Sequence, residues 1–415
     1  MLTAALEQIQ SFAPSRRAAY VRIIVVGLAA IVLSKAFRFS QQGFWEAGQG
    51  TDFASFYIVA QRVWLGDVDL AYRFQSFATM QAELTGAATS FMPWTYPPQF
   101  DLLLAPLALL PGWASYLMFT ALTLGAYLAT LRILAARNFA LVLIVTFPAM
   151  AVTTGSGQNG FLTGALMGLA CINVERRPFL AGIALGAMII KPHLAIAAGV
   201  YMLLSKRWTV VAAAGVTIML SSLVCTIAFG SSIWSAWLGG VREATSYLEE
   251  GRYPLFRMIS TYAVLYSAAG SSVVAAWGQA MAACLALGTL SLSLVKGPSP
   301  RFALGMAVLA SVMISPYAYD YDLPIAGVAL ALLLPDLSDL ATLRERGLMY
   351  SLLGFAGGYG LLRTAILAGD ANGEAVRSLA VSVSGAALLL VLALVVHAIV
   401  RQMHHQREAG NASVG

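Results

Sequence analysis

Apolar runs of membrane-spanning length recur along almost the whole of this sequence, and a chain patterned that way has few ways to fold. A helix needs about 20 apolar residues to cross about 30 Å of hydrocarbon. The first run is 20–37. Others cover 98–111, 113–134, 139–154, 159–174, 179–190, 193–204, 208–230, 256–270, 272–295, 301–315, 322–335, 347–367 and 378–400. Charged residues make up 11% of the 415, where a soluble domain carries about 25%. Hydrophobic residues make up 59%, and mean hydropathy is +0.76. Most of the surface must therefore face lipid. The expected fold class is all-α: a polytopic integral membrane protein with one integral domain over 20–400, a cytoplasmic segment 1–19 and a cytoplasmic tail 401–415. Gly and Ser are scattered through the runs, which suits close helix packing.

The basic residues set the expected orientation. Arg16, Arg17 and Arg22 flank the first run, and no small-residue cleavage site follows it. It reads as a retained signal anchor with its N-terminus in the cytoplasm. Arg132 with Arg137, Arg176 with Arg177, Lys206 with Arg207, Lys296 with Arg301, and Arg344 with Arg346 then all fall inside, provided that 98–111 and 256–270 do not cross. About twelve spans follow, with both termini inside and the protein in the cytoplasmic membrane of the cell. Several runs are short, so tilt or local thinning is needed. Four segments come together outside: 38–97, Gly155–Asn159, Lys191–His193 with the loop 231–255, and Ser315–Asp322. Within the first, Ser55–Leu65 has the spacing of an amphipathic helix lying in the interface, with Phe56, Val59, Ala60 and Val63 on one face.

The net charge of +6 fits cytoplasmic loops, and no basic stripe with interleaved aromatics points to nucleic acid. Cys171, Cys225 and Cys284 lie in apolar runs without paired spacing, as packed thiols do. His193, His397, His404 and His405 lack metal-ligand spacing, so no metal site is expected from them.

Polar groups at membrane depth are costly, so each is a functional candidate. Asp52, in Gly50-Thr51-Asp52-Phe53, stands before the amphipathic helix, where a carboxylate can take a proton from a hydroxyl. Asp is also a favoured helix N-cap. Thr95-Tyr96-Pro97-Pro98 pins the chain as a rigid turn or contacts substrate. Gly155-Ser156-Gly157-Gln158-Asn159-Gly160 is either a helix–helix turn or an anion cradle, with Gln158 and Asn159 able to bond sugar hydroxyls. Lys191-Pro192-His193 breaks an apolar stretch. The lysine there either meets a phosphate or snorkels from a hairpin tip. In Ser315-Pro316-Tyr317-Ala318-Tyr319-Asp320-Tyr321-Asp322, an interfacial aromatic belt accounts for the tyrosines but not for the two carboxylates, which could bind sugar hydroxyls or a cation.

Taken in order, Thr51-Asp52-Phe53 with Tyr57, Tyr96-Pro97-Pro98, Gly157-Gln158-Asn159, Lys191-Pro192, and Ser315-Pro316 with Tyr321-Asp322-Leu323 resemble the family 87 membrane glycosyltransferases of the GT-C class. The resemblance implies a polyprenyl-phosphate donor carrying a hexose such as mannose, a lipid or glycan acceptor, and inverting transfer on the outer face. It implies Asp52 as base, with Lys191, His193, Gln158 and Asn159 facing the donor phosphate. Tyr57, Tyr96, Tyr319, Asp320, Tyr321 and Asp322 would contact substrate. No cofactor is implied, and a divalent cation at Asp320 and Asp322 stays open. Mannosyltransferases similar in layout carry a histidine near the last acidic motif, where this chain has Tyr319, Asp320 and Tyr321. The competing expectation is a lipid or sugar transporter, because broken helices with buried polar groups serve transport as well. No inverted repeat is visible to favour it. An assembly subunit would leave Asp52, Lys191 and Asp320 without a role.

Overall fold

The structure, a computed structural model, describes residues 14–46, 49–85, 92–368 and 381–412. The first residues of the run 378–400, parts of the segment 38–97 and of both terminal segments lie outside the described residues. Among the described residues the fold is all-α apart from a two-residue antiparallel pair, Trp45–Glu46 with Gln49–Gly50. The helices are α1 (Pro14–Gln42), α2 (Asp52–Leu65), α3 (Phe74–Thr85), α4 (Pro98–Leu104), α5 (Gly112–Ala135), α6 (Phe139–Ser156), α7 (Gly160–Asn173), α8 (Pro178–Ala187) and α9 (Ile196–Leu204). They continue as α10 (Trp208–Phe229), α11 (Ser232–Glu249), α12 (Thr261–Ala269), α13 (Ser272–Lys296), α14 (Pro300–Ile314), α15 (Pro324–Leu340), α16 (Leu343–Ala368) and α17 (Ser384–Ala412).

Among the described residues, five segments are long and apolar enough to cross a membrane: Pro14–Gln42, Gly112–Ser156, Trp208–Phe229, Ser272–Lys296 and Ser384–His404. Large apolar side chains on their outer faces are exposed, among them Ile23 and Phe37 on α1, Met219 and Ile227 on α10, and Trp277 and Met281 on α13. On helices of this length and hydropathy, a surface of that kind suits contact with lipid. Helix α15 is buried nearly all round, between α5, α6, α7 and α14, and forms the centre of the bundle core. A helix apolar on every face belongs there.

Small residues bring helices together at specific points. Gly182 and Gly186 of α8 lie against Val210, Ala213, Ala214 and Thr217 of α10, so close that a Cβ on Gly182 would sit 2.5 Å from the Val210 carbonyl oxygen. Low numbers meet low and high meet high, so α8 and α10 run in the same direction. The intervening α9 must therefore return, which makes residues 191–195 a hairpin tip. The 3-10 turns Met188–Ile190 and Pro192–Leu194 flank Lys191 at that tip.

Two expectations for the region around the site need correction. Helix α2 does not lie on the surface with one apolar face. Phe53, Ala54, Ser55, Phe56, Ile58, Val59 and Ala60 are all buried, because a second apolar core encloses the helix. Phe100, Leu104, Tyr116 and Phe119 belong to that core. The segment 231–255 is mostly helix rather than loop. Its α11 buries Ile233, Gly240, Ala244 and Leu248, a stripe at helical spacing. Of the two runs expected not to cross, 98–111 forms α4 and a 3-10 turn, Ala105–Leu109. The other, 256–270, holds α12, whose nine residues extend only about 14 Å.

Candidate functional site

The start of α2, the middle of α11, the hairpin tip and the segments 92–97, 253–257 and 317–321 enclose a cavity of about 320 Å³. Its lining is rich in aromatic residues, including Trp94, Tyr96, Trp237, Tyr253, Tyr319 and Tyr321, with Asp52, Gln158, Lys191, His193 and Arg257 among the polar groups. Pro97 and Pro98 form the N-cap and first residue of α4 and so fix Tyr96 at the wall, which makes that motif both a rigid turn and part of the lining. Trp237 donates from Nε1 to the Thr95 carbonyl at 3.1 Å, tying α11 to the same strand of wall.

Residues 319–322 alternate. Tyr319 and Tyr321 line the cavity with their rings stacked, centroids 5.1 Å apart and planes 4° from parallel. Asp320 and Asp322, each about 1% exposed, stand behind them. Neither of these two carboxylates, expected to contact substrate, lines the cavity itself: each holds a cation that does. Lys191 Nζ is 2.6 Å from Asp322 Oδ1, and lies 4.7 Å from the Tyr321 ring centroid and 5.5 Å from that of Tyr96. Arg257 makes a two-point pair with Asp320, Nε to Oδ2 at 3.2 Å and Nη2 to Oδ1 at 3.1 Å. Its Nη1 is 3.9 Å from Asp52 Oδ2. Such forked geometry is the strong form of the interaction.

Sequence reasoning misses Arg257, because it falls within the apolar run 256–270. Its signal is an arginine on the side assigned to the outside, against the charge rule. Backbone pairing places it: Met258 bridges to Tyr319, and Ile259 N–H donates to the Ala318 carbonyl at 2.9 Å. Burial alone would lower the Arg257 pKa, but Asp320 and Asp52 more than offset it and raise it, so the guanidinium stays charged. Burial raises the Asp320 pKa, with Arg257 opposing.

Asp52 is the one carboxylate among the described residues lining the cavity, with its side chain 17% exposed. It is the first residue of α2 and not its cap; Thr51 occupies the N-cap position. The motif around Gly157 is a tight turn. Gly157, at φ +69°, ends α6 with its N–H bonded to the Thr153 carbonyl, so that amide is not free for an anion. Gly160 lets α7 pack directly on the Tyr321 backbone: an added Cβ would stand 1.8 Å from that carbonyl oxygen. Gln158 lines the cavity and accepts from the Tyr96 hydroxyl at 3.1 Å, while Asn159 is fully buried behind it. His193 lines the wall, but burial, helped by Lys191 and opposed by Asp322, lowers its pKa to about 4. A neutral imidazole there is a hydrogen-bonding group and not a phosphate-binding cation. Tyr57 is not among the lining residues; its hydroxyl donates to the Leu110 carbonyl at 3.0 Å, which makes it a brace between α2 and the chain after α4.

Asp101 is a second missed residue. It is completely buried in α4 and accepts from Trp94 Nε1 at 2.9 Å and from the Tyr72 hydroxyl at 2.5 Å. Trp94 is part of the cavity wall, so Asp101 positions that wall. Burial raises the Asp101 pKa to about 7, with the Tyr72 and Trp94 hydrogen bonds opposing. Between roughly pH 4 and 7 the folded chain then holds a proton that an unfolded one has lost, so stability falls as pH rises through that window. The limiting slope is about 1.4 kcal/mol per pH unit. Thermal unfolding of Asp101→Asn in detergent is expected to lack this slope. A slope equal to that of the unmodified chain would assign it to other groups.

The profile of glycosyltransferase family 87 matches residues 94–316. The match takes in Tyr96, Gln158, Asn159, Lys191, His193 and Arg257, and leaves Asp52 and 319–322 outside it. No curated protein and no solved structure matches the chain. With more than half of its length matched, the chain belongs to glycosyltransferase family 87.

Proposed function

We propose that this protein transfers a hexose from a polyprenyl-phosphate donor to a hydroxyl of a lipid or glycan acceptor, with inversion and with Asp52 as general base. The observation that carries the reading is that one carboxylate, Asp52, and two cations, Lys191 and Arg257, line the same cavity, each cation held by a buried carboxylate of its own. Aromatic faces suit the apolar faces of a sugar ring, and the partly exposed Tyr319 and Tyr321 in the cavity lining are placed to offer them. The donor brings its own leaving group. The acceptor oxygen attacks the anomeric carbon, the bond from that carbon to the phosphate oxygen breaks, and its electron pair leaves with the polyprenyl phosphate. Asp52 takes the acceptor proton. Lys191 and Arg257 balance the charge that grows on the departing phosphate, which is where fixed cations contribute most. Because the buried carboxylates Asp322 and Asp320 hold these cations in place, little reorganisation accompanies the step.

The topology that accompanies this reading has about twelve spans, both termini in the cytoplasm and the cavity outside. Mannose is the first sugar to test. The purified protein in liposomes, given polyprenyl-phosphate mannose or glucose and a lipid extract, is expected to form a new glycosylated lipid detectable by mass analysis. A transporter would instead move the labelled donor across the bilayer with no new glycosidic bond, and that outcome would replace the transferase reading.

A further inference from the structure

A second cavity, about 700 Å³, opens at the opposite end of the bundle. Its position follows from two helices. Helix α14 has Arg301 in this cavity and leads to Tyr317 in the first; α7 packs by Gly160 on Tyr321 and ends with Asn173 in this cavity. The two sites are thus separated by about 20 Å of helix.

The rim is basic. Arg176, Arg177 and Arg301 line it against a single carboxylate, Glu175, which Arg207 already pairs. Arg176 and Arg177 are exposed, and no ion pair or hydrogen bond joins either side chain to another described residue. Arg301 is anchored to the Ala331 carbonyl at 3.0 Å. Helix α8 begins directly after Arg177 with no side chain capping it, which adds the partial positive charge of its first turn. Below the rim the floor is apolar: Leu134, Ile172, Leu304 and Leu332.

We infer that this cavity binds the phosphate headgroup of an anionic membrane lipid, with the arginine rim on the phosphate and the apolar floor on the glycerol-proximal methylenes. Inorganic phosphate would use the rim alone, whereas a lipid uses both halves of the cavity, as basic pockets between transmembrane helices do. The site is separate from the sugar-transfer chemistry, and its occupancy does not depend on it.

The test is native mass spectrometry of the full-length protein released from nanodiscs of equal phosphatidylglycerol and phosphatidylcholine. Retained lipid is expected to be predominantly phosphatidylglycerol. The variant Arg176→Gln/Arg177→Gln changes only exposed side chains and leaves the anchored Arg301, so it should fold. Its preference for phosphatidylglycerol is expected to fall roughly tenfold. Ten millimolar inorganic phosphate should not displace the lipid. Equal retention of the two lipids, or an undiminished preference in the double variant, would overturn the assignment. Displacement by inorganic phosphate would also overturn it, by showing a site for soluble anions.

Discussion

Asp52→Asn is expected to lower turnover by roughly 10²–10⁴-fold while leaving the protein folded and able to bind donor. The carboxylate begins α2, but the N-cap is Thr51, and no side-chain cap bond is lost when Asp52 changes. What α2 loses is a negative charge near its N-terminus, worth about 0.3–1 kcal/mol. The Arg257 contact is long, at 3.9 Å, and Arg257 keeps its closer partner Asp320. Asparagine fills the same volume but cannot take up a proton near neutral pH. Donor binding should change little, since the base acts on the acceptor. Steady-state turnover measured beside thermal stability decides the matter. Near-normal turnover in Asp52→Asn would remove the base from this position. The neighbouring carboxylates could not readily replace it, because Asp320 and Asp322 stand behind the wall and are committed to cations.

How much of the site the sequence discloses depends on how local the signal is. The alternation of tyrosine and aspartate over 319–322 is a local pattern, and it marks the position of the site. What it does not reveal is which of the two residue types faces the cavity. That is set by the cations arriving from residues 191 and 257, far away in the chain. Lys191 is legible because a lysine between apolar neighbours is costly, and the structure gives it the counter-charge it needs. Arg257 carries the same cost, yet it sits at the edge of an apolar run whose path through the membrane the pattern leaves open.

The helix at 52–65 shows the same limit in apolar terms. Periodicity identifies the face with Phe56, Val59 and Ala60, and these residues are buried. Phe53, Ala54 and Ile58 lie off that face, yet they are buried by contacts with residues up to 66 positions later, such as Tyr116 and Phe119. Nothing within the helix itself announces that cover. Asp101 is invisible for a related reason: one acid in the short run 98–111 looks like a solvated charge until Trp94 and Tyr72 are seen to close over it.

Lys191→Ala is expected to fail in two ways at once, and the two can be separated. Asp322 would remain buried at about 1% exposure with its cation gone, and breaking such a pair from one side costs about 3–5 kcal/mol. Loss of donor binding in this variant alone would therefore say little about phosphate contact. The double variant Lys191→Ala/Asp322→Asn removes the stranded charge. The amide oxygen it introduces can still accept from the Tyr319 N–H, which Asp322 Oδ2 accepts at 3.1 Å. Its thermal stability is expected to recover most of what the single variant loses. Donor affinity should not recover, because no ammonium then faces the leaving phosphate beside Tyr321. Lys191→Arg should retain part of the affinity, since a cation remains while its geometry changes. The measurement is binding of a polyprenyl-phosphate sugar to each variant, with unfolding curves recorded in parallel. Donor affinity in the double variant equal to that of the unmodified protein would make Lys191 a structural counter-ion for Asp322. Phosphate recognition would then rest on Arg257, the other cation at the cavity wall, whose guanidinium is held in place by Asp320.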